Sequence, residues 1–189
     1  LALEVRVDEN LPWALVGDPV RIRQVMLNLL SNAIKFTDSG HVLISIEVLG
    51  RRGDKVRLRL AVEDTGVGIN PEDVPLVYEP YVQLGQQFQR QTPGAGLGLT
   101  ICRQLIGLMG GSLDLESRPG EGSTFWAEIS LPEAADSAAR VRPDSRKVHH
   151  KRILVADSYE LSRKITLEML SRHEVHIEAV RSAGEALTF

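Results

Sequence analysis

Three groups of residues have the types and spacing for chemistry on a phosphorylated ligand. Asn28, Asn32 and Lys35 lie at i, i+4 and i+7, so on a helix they share one stripe. Two amides and an amine there offer an oxygen for Mg²⁺ and donors for phosphate. Taken alone, such a stripe is more simply a solvated helix face. Asp64-Thr65-Gly66-Val67-Gly68-Ile69 follows a β-rich run that ends in Val62-Glu63. Its glycines permit close backbone approach and its carboxylate falls at a strand end, although this pattern alone is also a common turn. Gly94-Ala95-Gly96-Leu97-Gly98-Leu99 leads into a helical pattern. The free N–H groups and dipole of a helix start suit phosphate. It is not a dinucleotide fingerprint, because Leu99 stands at the third glycine position and no strand runs directly into it. A Gly-Lys-Ser/Thr loop is absent from the sequence.

The elements that must position these residues follow from pattern. Asp18-Pro19 suits a helix start, Asp as N-cap and Pro at the first helical position. Ile22, Val25, Met26, Leu29 and Ala33 then form an apolar stripe beside the amide stripe. Leu3, Val5 and Val7 alternate with charged residues as in a half-buried strand. Strands are expected over 41–49 and 55–63, joined by Gly50-Arg51-Arg52-Gly53. A short helical turn is expected after Pro71. Residues 77–95 have neither period and carry five glutamines, which reads as a functional loop. A helix over 97–109 stops at Gly110-Gly111, and strands over 112–117 and 123–131 flank Pro119-Gly120-Glu121-Gly122. Strands mixed with helices imply a two-layer α/β sandwich over residues 1–132. Trp13 and Trp126 are expected to pack.

Composition narrows the function classes. The chain has 189 residues, 22 Lys+Arg against 25 Asp+Glu, and 43% hydrophobic residues. These values suit a globular protein of one full domain plus a piece of another, or of two small domains, and exclude wholesale disorder. A net charge of −3 gives no global reason to bind nucleic acid or an anionic membrane. The single Cys102 excludes an intrachain disulfide and a Cys-based zinc site. The longest uncharged stretch, 91–102, has 12 residues and is broken by glycines and Pro93, so no transmembrane helix is expected. The chain opens on Leu1 without a signal peptide, and is expected to be a cytoplasmic segment of a longer parent whose membrane anchoring stays open.

Residues 133–150 turn Ala-rich and then basic, from Arg140 to His149-His150, and read as a solvated linker. From Lys151 a second pattern begins. Ile153–Ala156 reads as a strand, Leu161, Ile165 and Met169 as a helix face, Val175, Ile177 and Ala179 as a strand, and Ser182 as a cap. Such a 151–189 piece is an incomplete β-α-β unit, near the size below which domains rarely fold unaided. His41, His173 and His176 belong to no ligand cluster.

The three groups occur in an order that resembles the ATP-binding domain of histidine kinases, in the superfamily shared with DNA gyrase and mismatch-repair ATPases. Asn28-Leu-Leu-Ser-Asn32-Ala-Ile-Lys35-Phe-Thr37 resembles the N box, and residues 64–69 the first glycine box. Tyr78-Glu79-Pro80-Tyr81 resembles the F box with Tyr for Phe, residues 94–99 the second glycine box, and Gly122-Ser123-Thr124-Phe125 the closing strand motif. The resemblance implies ATP and Mg²⁺ as cofactors. Asn32 would ligate Mg²⁺, with Asn28 and Lys35 near the phosphates. Asp64 would accept from the adenine amine, supported by Thr124. Gly66, Gly68, Ile69, Tyr81, Gly94, Gly96, Leu97, Gly98 and Leu99 would complete the nucleotide site under a 77–95 lid. No catalytic base is assigned. Hydrolytic members carry Glu where Asn28 stands, and an amide cannot take a proton near neutral pH.

The expected function is donation of the γ-phosphate to a histidine on a separate helical dimerisation domain of a homodimeric parent. Neither His149 nor His150 has the setting of that acceptor. The alternatives are an ATP-driven conformational machine of the same superfamily or a nucleotide-binding pseudokinase. Residues 151–189 resemble the start of a receiver domain, making a receiver or response regulator the further partner, with no nucleic acid. Asp157 would be its acidic site, but Ser158 replaces the usual second acid, and the phospho-accepting Asp of the family would lie beyond Phe189.

Overall fold

The computed structural model describes residues 1–82, 96–134, 151–158, 160–171 and 175–188. Most of the 77–95 loop, with Gly94 in it, and most of the 133–150 segment lie outside the described residues, as do His173 and the side chain of Met169. The chain divides into two compact units, Leu1–Ser137 and Ala138–Phe189.

The first unit is a five-stranded mixed sheet with helices on one face. Its strands are β1 (Ala2–Val7), β2 (His41–Arg52), β3 (Lys55–Asp64), β4 (Ser112–Arg118) and β5 (Gly122–Pro132), and its helices are α1 (Pro19–Phe36) and α2 (Gly98–Leu108). The sheet order is β1-β2-β3-β5-β4, with β1 parallel to β2 and every other pair antiparallel. Helix α1 starts as its sequence predicts: the Asp18 carboxylate accepts from the Val20 and Arg21 N–H groups, and Pro19 occupies the first turn. Val25, Leu29 and Ala33 are its buried stripe.

Period two decides what each strand buries. The even residues of β3 from Val56 to Val62 face the helices, opposite Leu131, Ile129, Ala127 and Phe125 of β5. Cys102 and Ile106 of α2 complete this core with no exposed surface. Each large aliphatic side chain buried there contributes about 1.5–3 kcal/mol.

Three expectations change. The β2–β3 connection is a two-residue turn at Gly53-Asp54, since Arg52 already pairs with Lys55. Gly53 has φ +61, while Gly50 sits in extended backbone beside a bulge between Val48 and Gly50. The apolar residues of β1 are not its covered side: Leu3, Val5 and Val7 are 52%, 53% and 47% exposed, more than the residues between them. β1 is an edge strand, so it has a neighbour on one side only. The expectation that both tryptophans pack changes for Trp13. Trp13 is half exposed, and Trp126 lies on the sheet face away from the helices, under the Arg59 guanidinium at 5.3 Å. The turn after Pro71 is a 3₁₀ helix, Val74–Tyr78.

The second unit contains β6 (Arg152–Ala156), α3 (Glu160–Ser171), β7 (His176–Val180) and α4 (Ala183–Ala186). β6 and β7 pair in parallel, as a β-α-β crossover requires. Ile165 and Val180 are its buried apolar residues among those described. The Ser182 hydroxyl accepts from the Glu185 N–H and caps α4. Among the described residues no helix is long and apolar enough to cross a membrane.

Candidate functional site

Asp64 is the last residue of β3 and continues its core-facing row, so its carboxylate lies on the helix side of the sheet with 7% of the residue exposed. Burial pushes its pKa above the ordinary 3.8; the backbone of Gly66 and of Ser123 and the nearby Thr37 hydroxyl oppose that rise, and Glu63 adds to it. The Gly66 N–H donates to Asp64 Oδ1 at 2.8 Å. Thr37, which caps α1 at its C-terminus, approaches closely enough to favour the charged carboxylate, yet its buried Oγ1 makes no hydrogen bond of normal geometry.

Backbone crowding holds this corner together. A Cβ on Gly66 would stand 2.2 Å from the Phe36 carbonyl oxygen and 2.8 Å from both Asp64 Oδ1 and Thr37 Oγ1. Gly122, at φ +112, passes so close to β3 that a Cβ would meet the Asp64 carbonyl oxygen at 1.9 Å. Only glycine fits either place. Beyond Gly68, the Ile69 N–H donates to Ser117 Oγ at 2.8 Å, and Ser117 Oγ lies 2.9 Å from Ser123 Oγ. The first glycine box is thereby tied to β4 and β5.

The same geometry corrects one assignment. Thr124 pairs with Glu63 and Glu116, not with Asp64, so its side chain is on the sheet face opposite the carboxylate. Ser123, 7% exposed, is the β5 residue paired with Asp64. Parity could have found it: Phe125 and Ala127 face the core, and stepping back by two reaches Ser123.

At the other end of the face, α2 begins at Gly98, where a Cβ would lie 4.0 Å from Asn28 Cγ. The N-cap of α2 is Leu97, which supplies no side-chain acceptor to the first turn. The Cys102 thiol donates to the Val25 carbonyl at 3.8 Å; burial raises its pKa and the nearby Asn28 side chain opposes that rise. Half-buried Asn32 lies one turn further along α1, and Lys35 is exposed with its amine 5.2 Å from the Phe36 ring. Gly96 accepts from the Tyr81 N–H at 3.1 Å. Tyr81 itself is 76% exposed at φ +66, a conformation uncommon for a non-glycine residue. Leu99 packs against the core. Tyr78 is half-buried, with its pKa raised to about 12 by burial and by Asp114, the Arg103 guanidinium opposing from 5.1 Å.

The donor chemistry fits a nucleotide and a weakly held Mg²⁺. Helix N–H groups without a side-chain cap, two amides and an amine suit phosphates, and a buried carboxylate suits a base amine. No group of three or more His, Cys, Asp or Glu able to hold a metal occurs among the described residues. Mg²⁺ here would have to take most of its ligands from phosphate and water, which is its habit. In the second unit, Asp157 follows β6, and its Oδ2 accepts from the Ser162 hydroxyl at 2.6 Å. Ser158 beside it is exposed.

The chain is 38% identical to the sensor histidine kinase GacS of Pseudomonas protegens over 87% of this chain and 18% of GacS. It is 36% identical to the sensor protein TorS of Escherichia coli over 99% of this chain and 20% of TorS. The chain therefore spans no more than about a fifth of either relative. A crystal structure of full-length ShkA in complex with AMPPNP matches at TM-score 0.72 and 30% identity, over 99% of this chain and 37% of that one. Residues 17–134 match the model described as "Histidine kinase-, DNA gyrase B-, and HSP90-like ATPase", and the chain belongs to that family.

Proposed function

We propose that this chain binds Mg-ATP and donates the γ-phosphate to a histidine on a separate helical domain of its parent, in two-component phosphorelay signalling. One observation carries the reading. The second half of α1 runs from Asn28, beside the start of α2, to the cap residue Thr37, beside the buried Asp64 carboxylate. Nine residues of helix rise separate those ends, about 14 Å at 1.5 Å per residue, a length suited to a nucleoside triphosphate. Asp64 accepts from the exocyclic amine of the base. Asn28, Lys35 and the first N–H groups of α2 hold phosphate oxygens. Asn32 offers its amide oxygen to the metal, which when bound neutralises phosphate charge during transfer. Gly66, Gly68, Ile69, Gly96, Leu97, Gly98, Leu99 and Tyr81 form the walls, and Gly94 belongs with them through the family motif.

Asn28 cannot act as a general base for water, so the site suits an incoming nucleophile such as an imidazole nitrogen. Residues 1–132 are the catalytic domain in this reading, 133–150 a linker and 151–189 the start of a receiver. The parent is a cytoplasmic or membrane-anchored homodimer in which the acceptor helices are the first partner and a receiver the second. The test uses radiolabelled ATP with the chain alone and with the parent's helical domain added. Label should appear on the added domain and only traces of free phosphate from the chain alone. Fast phosphate release by the chain alone would make it an ATPase, and no transfer to the complete acceptor would make it a pseudokinase.

A further inference from the structure

Thr37 is 3% exposed, and its hydroxyl is buried without a hydrogen-bond partner. Native structures leave few such groups, and each calls for an explanation. Its position supplies one. A Cβ on Gly66 would be equidistant, at 2.8 Å, from Thr37 Oγ1 and Asp64 Oδ1, so the two oxygens border one small gap that the missing side chain leaves open. Asp64 Oδ1 already accepts from the Gly66 N–H, and an ionised carboxylate oxygen has capacity for a second donor. The other hydroxyls near this corner are engaged elsewhere: Ser117 donates to the Gly122 carbonyl or shares a proton with Ser123.

We propose that Thr37 is a positioning residue for base selection, its hydroxyl donating to Asp64 when the carboxylate turns to accept the amine of adenine. The proposal rests on the reading of Asp64 as the base acceptor. In the free protein the hydroxyl lies near enough to favour the charged carboxylate but makes no hydrogen bond of normal geometry. With the base bound, it fixes the carboxylate so that an amine is favoured over a base without one. Val has nearly the shape of Thr but no hydroxyl, so Thr37→Val removes the donor and leaves the packing. Cooperative thermal unfolding of the nucleotide-free variant checks that its fold is kept.

The experiment is calorimetric titration of the full chain with Mg-ATP and with Mg-purine riboside triphosphate, which lacks the 6-amino group. Wild type, Thr37→Val and Thr37→Ser are compared. The expected result is a wild-type preference for ATP that falls about tenfold in Thr37→Val through weaker ATP binding, the size of one hydrogen bond to a charged group. Binding of the analogue stays unchanged, and Thr37→Ser restores the preference. A preference unaltered in Thr37→Val overturns the role of Thr37 and leaves that of Asp64 standing. A wild type that binds both nucleotides equally overturns both.

Discussion

Both units place an aspartate at the C-terminal end of a strand, and they treat it differently. Asp64 ends β3 in the middle of a five-stranded sheet, beneath a glycine turn and beside the end of α1. Asp157 follows β6 in a two-stranded sheet, and Ser162, from the next helix, engages its carboxylate. The first carboxylate is desolvated, which raises its pKa and strengthens whatever donor reaches it. The second is half-buried next to the exposed Ser158. A strand end becomes a site only when neighbouring elements exclude water and leave one approach open. The five-stranded sheet of the first unit has the width for that.

Glycine substitution should break this contrast most sharply. Gly122→Ala places a Cβ against the Asp64 carbonyl at φ +112, and should cost about 3 kcal/mol in denaturant unfolding of the first unit. Gly184→Ala, in α4 of the second unit, meets only the Ser182 hydroxyl at 3.8 Å and should be neutral or stabilising by about 0.5–1 kcal/mol. Comparable losses in the two variants would mean that the Asp64 corner is no tighter than the rest.

Asn32→Ala comes next. It should weaken nucleotide binding in Mg²⁺ about tenfold, the worth of one polar ligand, and change binding in EDTA little. Titration under both conditions checks this, and equal losses would assign Asn32 to packing.

A smaller effect is a dependence on pH. The folded-state pKa of Asp64 lies above 3.8, so the folded protein holds this proton more tightly than the unfolded chain. Its ionisation therefore costs stability as pH rises from 3.8 through the folded pKa. Asp64→Asn should melt higher than wild type near neutrality, and that advantage should vanish as pH falls through this window. A constant difference in melting temperature across the window would contradict the desolvation.

The smallest change sharpens the second half of the comparison. Ser158→Asp, in a version extended to a complete receiver, adds the missing charge beside Asp157 and should speed labelling by a small phosphodonor several-fold. Fast labelling of the extended wild type would show that the second acid is dispensable.

Much of the first unit was legible because period and punctuation agreed. Asp18-Pro19, the stripe through Val25, Leu29 and Ala33, and a helix opening at about Leu97, the N-cap of α2, follow directly from residue types. What escaped depended on neighbours distant in sequence. Leu3, Val5 and Val7 read correctly as a strand, but their exposure follows from an edge position that alternation does not encode. Two glycines marked the β2–β3 connection, and only the register shows that one belongs to a bulge and the other to the turn. Thr124 was drawn in by its place in a motif, whereas strand parity favours Ser123. Thr37 closed the N-box pattern as an ordinary residue. Its meaning comes from Gly66, 29 positions later in the chain, beside which its hydroxyl is buried without a partner.

The central claim is that the buried Asp64 carboxylate reads the base of a bound nucleotide. Calorimetric titration of Mg-ATP against Mg-GTP, for wild type and Asp64→Ala, tests it most directly. Guanine presents a carbonyl oxygen where adenine presents an amine, so a carboxylate would face an acceptor with no proton between them. Wild type should prefer ATP clearly, and Asp64→Ala should lose about 1.5–3 kcal/mol of ATP binding together with the preference. Equal affinities of the wild type for ATP and GTP would contradict the account.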